Sequence, residues 1–159
     1  MSSLTGLTIM IQIELYNNSL SCELLARMSN LTKLQLLDAS MNQLTETIPD
    51  ELCGLQLESL NLYKNRFKGS LLESIANSPK LYELIIFKNG LTGESPRNLD
   101  AKLPLKWINI SNKKFFGEIL TSLCQMGKLG NFDFTGHFHF SGIFYNFNNW
   151  VIGWVGIYL

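Results

Sequence analysis

The sequence predicts an α/β solenoid. Each repeat adds one short strand to a curved parallel sheet on the concave face, with short helical or 3-10 segments and loops on the convex side. Three observations carry this prediction. An apolar frame recurs at Ile13, Leu15 and Leu20, at Leu37, Ala39 and Leu44, and at Leu60, Leu62 and Phe67. It continues at Leu84, Ile86 and Leu91 and at Ile108, Ile110 and Phe115. An asparagine holds the same place in each frame (Asn18, Asn42, Asn65, Asn89) until Lys113 replaces it in the fifth. These positions are 24, 23, 24 and 24 residues apart, a period that marks stacked repeats.

Each frame reads as a strand because strand side chains alternate between faces. In the third repeat Leu57, Leu60 and Leu62 point inward, and Ser59, Asn61 and Tyr63 point to the other face. One such strand cannot bury its apolar face alone, so neighbours must stack around a continuous leucine core. The pattern L-x-x-L-x-L-x-x-N-x-L is the leucine-rich-repeat signature. Its asparagine follows the strand where the chain turns, and the amide can satisfy backbone groups the turn leaves unpaired. Asn18, Asn42, Asn65 and Asn89 thus form a structural ladder, and Lys113 loses that capacity.

The second half of each unit pairs a turning glycine with a proline ahead of a short helical segment, as in Gly93 with Pro96 and in Thr47, Ile48 and Pro49. Ile48, Leu52 and Leu55 supply that segment's apolar contacts. Leu25, Leu72 and Leu120 replace the proline elsewhere, and Cys22 and Glu46 replace the glycine. A sixth unit keeps Leu129, Phe132 and Phe134, but His137 stands at the asparagine position. The expectation is five recognisable repeats and a degenerate sixth. An uncapped array spans 1–136, and a degenerate repeat end with an apolar aromatic tail spans 137–159.

Composition narrows the function classes. The chain has 159 residues with 13 basic and 13 acidic side chains, so no bulk field points to nucleic acid or an anionic surface. No Asp, Glu, Lys or Arg follows Asp133. Met1 to Thr8 lacks a basic region leading into an apolar run, so no secretory signal is expected there. The uncharged stretch from Trp150 to Leu159 is ten residues long, against about 20 for a membrane span. Cys22, Cys53 and Cys124 are odd in number and read as isolated thiols. Cys53 and Cys124 share a register three repeats apart, roughly 14 Å, too far for a bridge.

Four phrases narrow the match further: IQIELYNNSL at 11–20, DASMN at 38–42, IPDELC at 48–53 and LQLESLNLY at 55–63. Together with the Ile-Pro and the repeat length, they resemble the ectodomain of HAESA-like plant receptor kinases over residues 4 to 135. The resemblance implies a peptide-hormone receptor on the extracellular side of the plasma membrane, partnered by a peptide ligand and a co-receptor leucine-rich-repeat kinase. Neither nucleic acid nor a small-molecule substrate is implied, and no cofactor. A kinase needs a glycine-rich loop, a strand lysine, His-Arg-Asp and Asp-Phe-Gly. These are absent, since His137 and His139 have neither neighbour, so no enzyme is expected. The chain resembles an internal slice of such an ectodomain, without caps.

The non-core strand positions define three ladders across the repeats. One runs Glu14, Asp38, Asn61, Ile85 and Asn109, the next Tyr16, Ser40, Tyr63, Phe87 and Ser111, and the third Asn17, Met41, Lys64, Lys88 and Asn112. Tyr16, Asp38, Ser40, Asn61, Tyr63, Lys64, Ile85, Phe87 and Lys88 are the ligand-binding candidates. Rigid aromatics with polar neighbours suit an extended peptide. The same aromatics could instead stack across strands and only stabilise the sheet. Asn17, Asn30 and Asn109 open glycosylation triplets, with Asn30, between units, the best placed. His137 and His139 lack a third ligand and imply no metal. Glu14 and Asp38 are adjacent across strands, but nothing builds a glycosidase cleft around them. Two other readings stay open: a truncated relic without a partner, and an inhibitor of a secreted wall-degrading enzyme.

Overall fold

The computed structural model describes residues 8–24, 26–71, 73–94 and 103–110, together with the backbone of strands at 115–117, 131–133 and 139–140. Six strands form the main sheet: β1 (Gln12–Glu14), β2 (Leu36–Asp38), β3 (Ser59–Asn61), β4 (Glu83–Ile85), β6 (Trp107–Asn109) and β8 (Asn131–Asp133). They lie in that order and every pairing is parallel. The central residues Ile13, Leu37, Leu60, Leu84, Ile108 and Phe132 stand in one row. A one-residue slip would turn Leu37, Leu60 and Leu84 out to solvent, so their burial sets the register.

Behind the sheet lies one continuous core. Leu34, Leu37, Leu44, Leu57, Leu60, Leu62, Leu81 and Leu84 are all fully buried. Three 3-10 helices, Ala26–Asn30, Asp50–Gly54 and Glu73–Asn77, stack on the convex side. Pro49, with φ of −65°, leads into the second, which buries Leu52 and Cys53. Cys22 is exposed, and both described cysteines are free thiols. Burial pushes the Cys53 thiol's pKa above its ordinary value. The Ser74 hydroxyl opposes this shift, and the Asp50 and Glu51 carboxylates add to it. The expectations placed on Leu25, Leu72, Pro96, Lys113, Leu120, Cys124, Leu129, Phe134 and His137, and on the tail from 141, lie outside the described residues.

Sequence periodicity did not anticipate a second sheet. Strands β5 (Gly93–Glu94), β7 (Phe115–Gly117) and β9 (His139–Phe140) pair in parallel just after the asparagine turn. A bridge between Glu23 and Thr45 extends the same pattern to earlier repeats. It is a backbone structure: the amides of Thr45, Lys68 and Thr92 donate to the carbonyls of Cys22, Glu46 and Gly69. The chain runs extended where loops were expected.

The glycine register of these turns is conformationally demanding. Gly69 and Gly93 have φ of 77° and 99°, and Glu46, in the same register, is held at 65°. A Cβ on Gly69 would meet Thr47 Cγ2 at 3.0 Å. Left-handed backbone costs a non-glycine residue about 1–2 kcal/mol, partly offset by glycine's larger unfolded-state entropy. Glu46→Gly should therefore stabilise the chain by about 0.5–1 kcal/mol, and a thermal melt that drops instead would refute the strain at this turn.

Candidate ligand-binding face

The asparagine side chains bolt consecutive repeats together. Asn42 Nδ2 donates to the carbonyls of Leu15 at 2.8 Å, Ala39 at 3.2 Å and Ser40 at 3.0 Å, and its Oδ1 accepts from Leu20 N–H at 3.0 Å. Asn65 Nδ2 donates to Ala39, Leu62 and Tyr63 carbonyls, while Leu44 N–H donates to its Oδ1. Asn89 does the same with Leu62, Ile86 and Phe87 carbonyls and the N–H of Phe67. Asn18 is exposed and, among the described residues, makes two local bonds, to the Leu15 and Tyr16 carbonyls.

On the concave face, the first ladder is partly tied into the backbone. Asp38 Oδ1 accepts from Ser40 N–H at 2.9 Å, and Oδ2 accepts from Asn61 Nδ2 at 3.0 Å. Asn61 Oδ1 in turn accepts from Tyr63 N–H at 3.2 Å. Ile85 and Asn109 continue this ladder in register, both half-buried. Glu14 is exposed and accepts a hydrogen bond from Gln12.

The aromatic ladder is divided at Ser40. Ser40 is 5% exposed and offers almost no surface, so Tyr16, 55% exposed, stands apart from the others. Tyr63 and Phe87, on adjacent strands, stack with ring centroids 4.3 Å apart and planes 25° from parallel. Lys88 Nζ lies 5.6 Å from the Tyr63 centroid and 6.0 Å from that of Phe87, within cation–π range. Cross-strand stacking is therefore present, and both rings still keep part of their surface open.

The third ladder has a shared backbone conformation. Asn17, Met41, Lys64 and Lys88 all sit at φ between 53° and 55°. This left-handed residue turns the chain out of the strand so that the following asparagine points inward. Asparagine tolerates the region, whereas methionine and lysine do so at a cost.

Sequence reasoning placed Ser59 on this face but did not extend its position into a fourth ladder, Gln12, Leu36, Ser59, Glu83 and Trp107, the first residue of each strand. Ser59 is buried, because its hydroxyl donates to the Glu83 carboxylate across the strands. Trp107 is 49% exposed and adds a large aromatic to the same face. The available signal was an aromatic two residues before Asn109 in a strand-facing position.

Comparison with known proteins gives this geometry a context. Residues 33–55 and 56–78 match the Leucine Rich Repeat family. The Arabidopsis receptor kinase HAESA, solved with the peptide hormone IDA and the co-receptor SERK1, superposes with a TM-score of 0.78 at 47% identity, covering 87% of this chain and 23% of that one. The chain is a leucine-rich-repeat solenoid. It is closely similar in structure to the HAESA ectodomain, and its relatives are plant receptor-like proteins and kinases. The solenoid also matches the plant peptide hormone receptor RGFR1, in complex with RGF2, with a TM-score of 0.73 at 31% identity, over 86% of this chain and 22% of that one. Receptor-like protein 49 of Arabidopsis thaliana is 34% identical over 103 residues, 61% of this chain. The chain spans 12% of the length of that curated relative. The shared ectodomain fold is a non-catalytic module.

Among the described residues, no group of three or more His, Cys, Asp or Glu could hold a metal ion, and no helix is long and apolar enough to cross a membrane. Asn30 is exposed at the end of the first 3-10 helix. Asn17 is exposed at the left-handed turn, and Asn109 lies half-buried within β6.

Proposed function

We propose that this solenoid is a peptide-binding module, part of the extracellular region of a plant receptor kinase that perceives a peptide hormone together with a co-receptor kinase. The observation that carries it is the stacked Tyr63–Phe87 pair, held rigid by the sheet with its outer surface open. Tyr16 and Trp107 flank it on the same concave surface. An extended peptide lying across the strands would meet apolar anchors separated by polar side chains able to orient its backbone. Such anchors carry most of the binding energy in protein recognition. On this reading the face is extracellular, and Asn30, clear of it, is the preferred glycan site.

The test is titration of the chain with the IDA peptide, the ligand seen with HAESA. Tyr63→Ala and Phe87→Ala should each weaken binding by about 2 kcal/mol, roughly 30-fold. Equal affinity of the parent chain and both variants would remove this face from the account. Because both positions are partly exposed, circular dichroism on the variants should show an intact fold.

A further inference from the structure

We propose that Lys64 and Lys88 form an anion-binding subsite beside the aromatic pair, so that the preferred ligand carries an acidic side chain next to the residue seated on Tyr63 and Phe87. The inference rests on the peptide-binding reading and specifies the chemistry of its ligand.

Two features of these lysines are unfavourable for the fold alone. Both occupy left-handed backbone, at φ of 54° and 53°, where Asn17 shows the better-tolerated residue for the same ladder position. They also hold the same ladder position in adjacent repeats, and the Lys64 N–H donates to the carbonyl of Phe87, the residue before Lys88, at 3.1 Å. Like charges in lateral register repel. The torsion belongs to the turn, since Met41 shares it, and the choice of two lysines side by side on the open face points to a role in recognition.

The acids of the concave face are engaged elsewhere. Asp38 is occupied by Asn61 and the Ser40 amide, and Glu83 by Ser59. Among the described residues, no carboxylate pairs with either ammonium. Among the described residues, the Lys88 ammonium meets the two ring faces, which orient it without neutralising it. A carboxylate arriving between the two ammonium groups would relieve their repulsion and gain two charge-assisted contacts. The apolar rings beside it would take the neighbouring side chain of the same peptide.

The experiment is selection of a phage-displayed random peptide library on the chain and on its Lys64→Glu/Lys88→Glu variant at low ionic strength. Peptides recovered on the parent chain should carry an excess of Asp and Glu over Lys and Arg, and the variant should invert that excess. The strongest parent-selected peptide should then lose about tenfold in affinity on Lys64→Asn/Lys88→Asn. The same variant should melt about 2–4 °C higher, because strain and repulsion are relieved together. Peptides recovered with the same charge composition on both proteins, or undiminished affinity for the asparagine variant, would overturn the subsite while leaving peptide binding intact. Recovery of no peptide on either protein would overturn both.

Discussion

Asn65→Ala should lower the stability of the chain by about 3 kcal/mol, whereas Asn18→Ala should cost less than about 1 kcal/mol. The two residues hold the same ladder position, so the difference isolates the inter-repeat bonds. Asn65 joins three carbonyls and the Leu44 amide, two of these partners belonging to the preceding repeat. Its removal leaves donors and acceptors unpaired beside the core, each costing about 1–3 kcal/mol with some recovered by water. Asn18 is exposed and, among the described residues, bonds within its own turn, where water replaces the amide easily. The check is a denaturant titration of both variants, reading the midpoint at constant slope. Similar losses at the two positions would mean that the ladder acts within each turn and does not link repeats.

Phe67→Ala should be the more damaging core change, costing about 3–5 kcal/mol. Phe67 is fully buried and among the largest such side chains, where other repeats carry Leu20, Leu44 and Leu91. A repeat array distributes its core one layer at a time, so no distant packing closes the hole. Phe67→Leu keeps the register's usual residue and should cost less than about 1.5 kcal/mol. Since domains are typically stable by only about 5–15 kcal/mol, the alanine variant should lie close to unfolding at physiological temperature. If alanine costs no more than the ~1.5 kcal/mol allowed for leucine, the Phe67 ring contributes little packing beyond that of a methyl group, and the layered-core account of the fold is wrong at this position.

Much of this architecture was legible before any coordinates because repetition amplifies weak signals. One alternating stretch such as Leu60, Asn61 and Leu62 is ambiguous, but five at a constant period admit one register. The concave ladders followed directly, with Tyr63 and Phe87 among them. Trp107 was not read, because the outward position that Ser59 holds in the third repeat was not followed across the other strands. The second sheet was invisible for another reason: its strands are two or three residues long and held by backbone bonds, which leave no side-chain pattern.

The sequence by itself determined the repeat, the buried row and the asparagine ladder, since these depend on which side chains recur and at what spacing. Only the tertiary structure decided what the exposed positions do. It showed that Ser40 is buried and separates Tyr16 from the stacked pair, that Asp38 is tied to Asn61, and that Lys64 and Lys88 share a left-handed turn. Those properties arise between strands or from backbone torsion. Composition and spacing along the chain do not encode the distance between neighbours that only stacking brings together.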